Sequence, residues 1–523
     1  MAEESLIEYG ARRYIITVTV ILCALLEIVD TSIVNVALRD MAGNLDASTQ
    51  EITWVISAYA IANVIVVPMS TWLSSKFGRR NYFAFSIALF TLASFLCGQA
   101  TGLWELVAFR FLQGAGGGAL LATSQTILTE SYPANERGKA TAIYGMGVII
   151  GPTLGPPLGG WIIDNSSWPY IFYVNIPIGI IATILTLQFI KSPKFGAVST
   201  SNSIDWYGIL LLAAGVGSLQ FVLEKGQEAD WFSAEYITIF TIIAFFGIFF
   251  FIWRELIAKN PVVELRVLKN STLALGTGLS FILGFGLYGS TLVIPLFVQT
   301  NLGFSATQAG LIFIPSSIAT GFTMPFIGRA IGGGVSSKFL MTTGFAVFFA
   351  FCTWMYFTLT PQIGQGDFFW PLMIRGVGLG FLFIPVTNLA LSTLKGREIG
   401  QGAAFTAMMR QLGGSFGTAI ITTYLFRRQS SVRSSVVQHL NANDPEVQSR
   451  LNGMKNLFMS RGYAPNVAQD QAYKLLDLQV NQQVSVISYM QVFIALGIFF
   501  AICIPVILMI RSGKQKIDPA LAH

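Results

Sequence analysis

The sequence predicts an all-α integral membrane protein, and two observations support this prediction. Of the 523 residues, 53% are hydrophobic and only 11% are charged, whereas a soluble protein carries roughly a quarter charged residues. Apolar runs of about 20 residues recur along the whole chain, and each is long enough to cross a bilayer core as a helix. The runs are continuous and do not alternate with polar residues, so membrane-spanning strands are not expected.

These runs predict fourteen transmembrane spans, and the basic residues predict their orientation. The spans are centred near residues 26, 63, 90, 114, 150, 180, 215, 246, 285, 318, 349, 381, 413 and 498. An even number of spans puts both termini on the side of the loops that follow even-numbered spans. That side holds twenty lysines and arginines, whereas the short loops opposite hold only Arg39 and Lys225. Because basic residues collect on the cytoplasmic side, both termini are expected in the cytoplasm.

An internal repeat predicts how the spans are grouped. The stretches "FRFLQGAGGG" (109–118) and "IRGVGLGFLF" (374–383) each place an arginine ahead of a glycine-rich run. Six spans with short loops need only about 200 residues, but Arg110 and Arg375 lie 265 residues apart. The surplus matches two further spans between Asp205 and Leu256. Two parallel six-span halves around a central site are typical of a rocking secondary transporter.

The repeat therefore predicts two six-helix bundles plus two inserted transmembrane helices. The expected divisions are an N-terminal bundle at 1–195, the inserted pair at 196–260, and a C-terminal bundle at 261–523. The last division includes one long polar segment at about 427–485, which should lie outside the cell membrane. Long segments cross a membrane largely regardless of their charge, so its basic residues do not contradict the orientation.

Two acids lie in the middle of the first span, in "LLEIVDTSIVNVAL" (25–38). Glu27 and Asp30 are three residues apart, so they share a helix face with Thr31. Desolvation favours the neutral form of a buried carboxylate, which lets such a group take and release a proton near neutral pH. The acids would also attract a cationic substrate. The alternative is a structural ion pair with an arginine of a neighbouring span, although acids inside a membrane mark functional sites by default.

Three arginines inside spans are further candidates. Arg110 shares a face with Gln113, and a buried arginine there could compete with the proton for a carboxylate. It could equally form a fixed structural pair. Arg375 is its equivalent in the repeat and is expected to be structural. Arg410 precedes several glycines, which favours helix packing first and substrate contact second. The candidate residues of the central cavity are Thr31, Asn35, Gln113 and Arg410.

The fifth span carries a glycine at every fourth position, together with prolines. This spacing puts the glycines on one stripe, where a second helix backbone can come close. Prolines inside a helix bend it. The residues of this packing motif are Gly147, Gly151, Pro152, Gly155, Pro156 and Gly159.

Several short motifs, in this order, resemble those of one transporter family. They are "DTSIVNVAL" (30–38), "FRFLQGAGGG" (109–118), "GPTLGPPLGG" (151–160), "FYVNIPIG" (172–179) and "RQLGGSFGTA" (410–419). Together they are similar to the major facilitator superfamily, in its fourteen-span drug/proton antiporter branch and, within that branch, the EmrB type. The resemblance implies a major facilitator fold and export of hydrophobic or amphipathic compounds across a bacterial inner membrane. It also implies that the proton gradient drives transport without a cofactor, and that the fifth-span stripe seals the periplasmic side.

One departure from the family pattern concerns the loop after the second span. It is "TWLSSKFGRR" (71–80), in which Thr71 and Ser75 replace the usual glycine and aspartate. The remaining candidates for a cytoplasmic gate are Gly78, Arg79 and Arg80. A gating salt bridge made by that aspartate is therefore not available to this chain.

The resemblance extends to the segment at 427–485 and implies partners. Exporters of the EmrB type work with a periplasmic adaptor and an outer-membrane channel, and this segment is the expected docking region. A flexible lid at the substrate exit is the alternative. A second hypothesis of transport function is export of an endogenous metabolite such as a siderophore or fatty acid.

Enzymatic and non-transporting functions have little support in the sequence. A sensor or membrane enzyme would need features that are missing, because the chain has no G-x-x-x-x-G-K-[ST] loop and only two histidines. No metal, nucleotide or nucleic acid is expected as a ligand. All four cysteines fall inside apolar runs, which argues against a disulfide framework.

Overall fold

The computed structural model describes residues 6–48, 50–133, 136–192, 204–394, 396–440 and 443–509. Within these ranges the chain forms eighteen α-helices, three short 3-10 helices and no strand. The prediction of an all-helical protein is therefore confirmed. Half or more of the residues in most of the apolar helices are buried, while others, such as Phe245 and Phe249, are exposed. Exposed apolar side chains on such helices face lipid in a membrane.

The helices follow one another with short connections. The first group is α1 (Gly10–Asn44), α2 (Trp54–Phe77), α3 (Arg79–Gln99), α4 (Leu103–Gly117), α5 (Leu120–Ser131), α6 (Arg137–Asn165), α7 (Tyr170–Tyr173) and α8 (Asn175–Phe189). The next two are α9 (Trp206–Lys225) and α10 (Glu235–Ile257). The last group is α11 (Ser271–Leu302), α12 (Ala306–Leu311), α13 (Ile314–Gly332), α14 (Ser337–Thr358), α15 (Phe369–Leu391), α16 (Arg397–Gln438), α17 (Pro445–Ser460) and α18 (Pro465–Met509).

Twelve helical segments of the described chain are long and apolar enough to cross a membrane. Four of them combine neighbouring helices; for example, α4 and α5 together form the segment Leu103–Ser131. The twelve do not include α6 or α16, which coincide with the spans expected near residues 150 and 413. The protein is thus a multi-pass helical membrane protein, while the count of fourteen spans stays a prediction.

The two helices α9 and α10 form an antiparallel pair at the expected place of the inserted spans. Gly215 and Gly247 let the two backbones touch, because a Cβ added at Gly247 would lie 2.7 Å from the Gly215 Cα. The Arg254 guanidinium binds the Asp205 carboxylate at 3.1 Å and joins the end of α10 to the start of α9. The pair packs against α2 and α16 through α9. The exact divisions between the bundles and this pair remain predictions.

The polar segment at 427–485 is largely helical. It comprises the end of α16, the whole of α17 and the first half of α18. A helix rises about 1.5 Å per residue, so α16, with 42 residues, and α18, with 45, are each about twice as long as a bilayer core is thick. Where they leave the apolar region they hold together through a small cluster of Val432, Val480 and Val484. Residues 441–442 lie outside the described ranges.

Candidate functional site

The Asp30 carboxylate forms a fully buried ion pair with Arg110. Asp30 lies in the middle of α1 with a relative exposure of 0%, and Arg110 in α4 is 1% exposed. The Arg110 Nη1 donates to the Asp30 Oδ2 at 2.6 Å. The Arg110 Nε donates to the carbonyl of Val55 at 3.1 Å, and the guanidinium lies 4.3 Å from the centre of the Tyr59 ring. The pair therefore ties α1 to α2 and α4.

Neutral polar groups complete the surroundings of Asp30. Its Oδ1 accepts hydrogen bonds from Gln113 Nε2 at 2.9 Å and Asn175 Nδ2 at 2.8 Å. Both amides also donate to the Ser94 hydroxyl oxygen, at 3.2 and 3.0 Å. A buried ion pair is stable only when further hydrogen bonds satisfy its remaining atoms. The network supplies these bonds from α3, α4 and α8, so both oxygens of Asp30 are satisfied.

Glu27 lies one turn away in a different environment. The residue is 5% exposed. One oxygen accepts from the Asn63 amide of α2 at 2.9 Å, and the other accepts from the Leu121 backbone N–H of α5 at 3.2 Å. Among the described residues, no lysine or arginine forms an ion pair with it. Neutral donors of this kind can accommodate both the charged and the protonated carboxyl, which suits a group that exchanges a proton.

The other two intramembrane arginines differ sharply from each other. Arg375 in α15 hydrogen-bonds to the Ser290 and Ser316 hydroxyls at 3.0 and 3.1 Å and to the Thr291 hydroxyl at 2.6 Å. Arg410 in α16 is 3% exposed, and its guanidinium lies 5.0 Å from the centre of the Phe383 ring. Neither Nη atom of Arg410 has a hydrogen-bond partner among the described groups. Arg375 thus has its hydrogen-bond partners within its bundle, whereas Arg410 is a buried cation that forms no ion pair with any of the described residues.

The glycine stripe of α6 lies directly against α1, the helix that carries both acids. A Cβ at Gly151 would lie 2.6 Å from the Ile28 Cγ2, and one at Gly159 would lie 2.7 Å from the Ile33 Cγ1. At Gly155 a Cβ would collide with the Ser32 hydroxyl. Only Gly147, whose nearest neighbour is Ile21 at 3.3 Å, has some room. Pro152 and Pro156 lie inside the same helix.

The residues expected to form a gate lie at the junction of α2 and α3, with Gly78 between the helices and Arg79 and Arg80 at the start of α3. Gly78 adopts a φ of 82°, which glycine tolerates without a steric cost. The Arg79 guanidinium binds the Glu130 carboxylate of α5, while Arg80 is exposed. Glu130 is 8% exposed, so this is a largely buried bridge. Arg79 therefore finds an acid on α5 in place of the missing aspartate.

The remaining candidates lie at different distances from this centre. Thr31 is half-buried and donates to the Glu27 carbonyl at 2.8 Å, and Asn35 is exposed on the next turn. Gln113 belongs to the Asp30 network. Sequence reasoning assigned no role to Asn63, Asn175 or Ser94, although each is a polar residue within an apolar run. That signal alone marks a residue inside a membrane as a functional candidate.

The described part of the chain offers no alternative site of metal chemistry. No group of three or more His, Cys, Asp or Glu side chains in these ranges could hold a metal ion. The four cysteines are free and buried in the helices.

Comparisons with known proteins agree with this architecture. Residues 20–418 match the model of the Major Facilitator Superfamily. The fatty acid resistance protein FarB of Neisseria gonorrhoeae is 34% identical, over 95% of this chain and 96% of the relative. The multidrug export protein EmrB of Escherichia coli is also 34% identical, over 94% of each chain.

The fold is shared with solved structures at lower sequence identity. The proton:xylose symporter XylE is 15% identical and superposes with a TM-score of 0.58, over 95% of this chain and 96% of that one. The all-helical architecture, the matched residues and these relatives confirm the resemblance found in the motifs. The chain therefore belongs to the Major Facilitator Superfamily, next to exporters of the EmrB type, and is a multi-pass secondary transporter of small molecules rather than an enzyme.

Proposed function

We propose that this protein exports hydrophobic or amphipathic drugs and toxic compounds in exchange for protons. It would act in a bacterial inner membrane with both termini in the cytoplasm, as the distribution of basic residues predicts. The observation that supports the proposal most strongly is the buried Glu27 carboxylate, which has hydrogen bonds from Asn63 and Leu121 but no ion-pair partner among the described residues. The printed name of the EmrB relative, a multidrug export protein, supports the choice of substrate.

The two acids take different parts in this mechanism. A proton that binds Asp30 must displace Arg110, because the carboxylate is already neutralised by that arginine at 2.6 Å. Glu27 can accept a proton without breaking an ion pair. We therefore assign the proton carried in each cycle to Glu27. Asp30 and Arg110 hold α1 against α4 and influence the coupling through the position of α1.

We assign the central cavity to the faces of α1 and α16 that would turn away from this network. On α1 this face would present Thr31, which is half-buried, and Asn35, which is exposed. Gln113 donates its hydrogen bond to Asp30, so it stabilises the ion pair and does not line the cavity. The glycine stripe of α6 keeps α1 close and would seal the periplasmic side, and the bridge between Arg79 and Glu130 would stabilise the cytoplasmic gate.

The helical projection formed by the ends of α16 and α18 with α17 is assigned to docking. A helical surface of this size has no use inside the bilayer, because it is polar and mixed in charge. We assign it to a periplasmic adaptor, which would connect the exporter to an outer-membrane channel.

A second candidate function is export of an endogenous metabolite or fatty acid. The similarity to FarB, a protein named for fatty acid resistance, favours it specifically, because that relative is as similar as EmrB. Both candidates use the same fold and the same acids. The two candidates differ only in the substrate that is exported, a drug in one case and a metabolite or fatty acid in the other.

The proposal is tested by transport in inverted membrane vesicles. Energised vesicles containing the wild-type protein should accumulate a fluorescent cationic dye, and collapse of the proton gradient should abolish accumulation. Glu27→Gln should abolish gradient-driven accumulation, whereas the matched control Glu235→Gln, an exposed acid at the start of α10, should leave it intact. Dye accumulation by Glu27→Gln at the wild-type rate would disprove the assignment of the proton site.

A further inference from the structure

Arg410 poses an energetic problem that the mechanism above leaves unexplained. A buried charge without a partner is strongly unfavourable, because neither water nor a counter-ion replaces its lost hydration. The guanidinium is 3% exposed, and both Nη atoms are unbonded among the described groups. Arg375, the other buried arginine of the same bundle, forms hydrogen bonds to three hydroxyls. A cation left unpaired in one conformation of a transporter is expected to have its partner in another.

The candidate partner of Arg410 is Glu27 of α1, on the opposite bundle. Arg410 stacks on Phe383, and a Cβ at Gly145 of α6 would lie 2.8 Å from the Phe383 Cδ1. The hydroxyl of Tyr144 donates to the Leu121 carbonyl at 2.8 Å, and the Leu121 N–H donates to Glu27. A continuous layer of contacts therefore connects Arg410 to Glu27.

The other groups around Glu27 are neutral or already neutralised. Asp30, the other nearby acid, is paired with Arg110. The polar and charged groups that face Glu27 and Arg410 from the packed helices are Tyr59 and Asn63 of α2, the Leu121 N–H of α5, Tyr144 of α6, Tyr288 of α11 and Asp30 of α1. Arg410 is thus a buried cation and Glu27 a buried acid, and neither forms an ion pair with any of the described residues.

We propose that Arg410 is a tethered counter-ion, meaning a cation supplied by the protein itself. It pairs with the Glu27 carboxylate when neither a proton nor a substrate is bound to that carboxylate. This inference rests on the proposed function, in which Glu27 carries the proton. The pair would join the two bundles across the cavity and would hold the empty, deprotonated transporter in one conformation. A proton on Glu27 removes the attraction and frees the bundles to move. Arg410 acts through Glu27 and is a positioning residue.

The same competition defines the class of substrate. A compound that displaces Arg410 from Glu27 must itself supply a positive charge, because a buried carboxylate without a cation is unfavourable. The proposal therefore assigns the site to amphipathic organic cations. Proton and cation are then mutually exclusive on one carboxylate, and the empty carrier cannot return without one of them. This condition lets the transporter exchange a proton for an organic cation without a leak of protons.

The first test measures proton leak in the absence of any substrate. Wild type, Arg410→Gln, Arg410→Lys and the double variant Glu27→Gln/Arg410→Gln are reconstituted into liposomes that enclose a pH-sensitive dye. Under an imposed pH gradient, Arg410→Gln should dissipate the gradient about tenfold faster than wild type, which corresponds to about 1.4 kcal/mol lost from the locked state. Arg410→Lys keeps the charge and should stay close to wild type. The double variant should not leak, because its proton carrier is gone.

The second test measures binding of tetraphenylphosphonium, a lipophilic cation, and laurate, a lipophilic anion, to the purified protein. Removing the tethered competitor should tighten tetraphenylphosphonium binding to Arg410→Gln about tenfold and leave laurate binding unchanged. Arg410→Gln should also unfold at the same temperature as wild type or above it, because it removes an unpaired buried charge.

The outcomes separate this inference from the proposed function. An Arg410→Gln variant that leaks no faster than wild type and binds the cation no more tightly would overturn the tethered counter-ion. Loss of laurate binding in the same variant would also overturn it, since Arg410 would then be an anion receptor. Absence of gradient-driven transport by the wild type, with the Arg410→Gln leak present, would instead contradict the exporter and leave the pairing of Glu27 and Arg410 supported.

Discussion

Substitution of Asp30 by asparagine should destabilise the protein far more than substitution of Glu27 by glutamine, although the two acids lie one turn apart. Asp30→Asn leaves the Arg110 guanidinium, 1% exposed, without its counter-ion. Breaking a buried pair by removing one partner costs about 3–5 kcal/mol. Arg110 keeps its bonds to the Gln113 side chain and the Val55 carbonyl, so we expect the lower end of this range. Glu27→Gln removes no ion pair and should cost less than about 1 kcal/mol.

The four buried free cysteines provide the assay for this difference. A thiol-reactive fluorophore labels them only when the helices separate, so an SDS titration of purified protein followed by this dye reports unfolding. Asp30→Asn should unfold at clearly lower SDS than wild type, and Glu27→Gln close to wild type. Replacing Arg110 as well, in Asp30→Asn/Arg110→Gln, should recover part of the loss because no unpaired charge remains. Equal unfolding of the two single variants would refute the distinction between a paired and an unpaired acid.

Three further predictions follow from contacts at other helices. Gly155→Ala should disrupt transport and lower the free energy of unfolding by about 1–3 kcal/mol, because the added Cβ would collide with Ser32. The control Gly147→Ala should be tolerated, and similar results for the two variants would contradict the close packing of α6 on α1. Arg79→Gln should slow transport in vesicles by leaving the Glu130 carboxylate without its cation, and the exposed Arg80→Gln is the matched control. Replacing residues 432–480 with a short Gly/Ser linker should preserve vesicle transport but abolish adaptor pull-down; retained adaptor binding would rule out docking there.

The fold was predictable from the sequence because hydropathy and the repeat are properties of composition and spacing. The partner of Asp30 was only partly predictable. Arg110 was a candidate, but the choice between a fixed pair and a proton competitor depends on contacts with Asn175 and Ser94, which are far away in the chain. Their amide and hydroxyl groups can be recognised as part of the Asp30 network only when α3 and α8 are placed beside α1. Periodicity gives no such information.

The contrast between Glu27 and Asp30 was not predictable from their spacing. Residues three apart share a helix face, but their directions still differ by about 60° around the axis. In this bundle that difference directs Asp30 towards α4, which carries Arg110, and Glu27 towards α5, which offers only a backbone N–H. The isolation of Arg410 was equally hidden, because an unpaired group is recognised only when its whole surroundings are known.

The continuity of α16 has a mechanical consequence. The helix runs unbroken from Arg397 to Gln438 and therefore carries both Arg410 and the beginning of the helical projection. Its C-terminal end lies about 42 Å from Arg410 at a rise of about 1.5 Å per residue. A tilt of about 10° at the level of Arg410 would displace that end by about 7 Å, by the same helix geometry. A protein docked on the projection would thus sense the charge state at the centre of the membrane through a rigid lever, and a load on that protein would act back on the site.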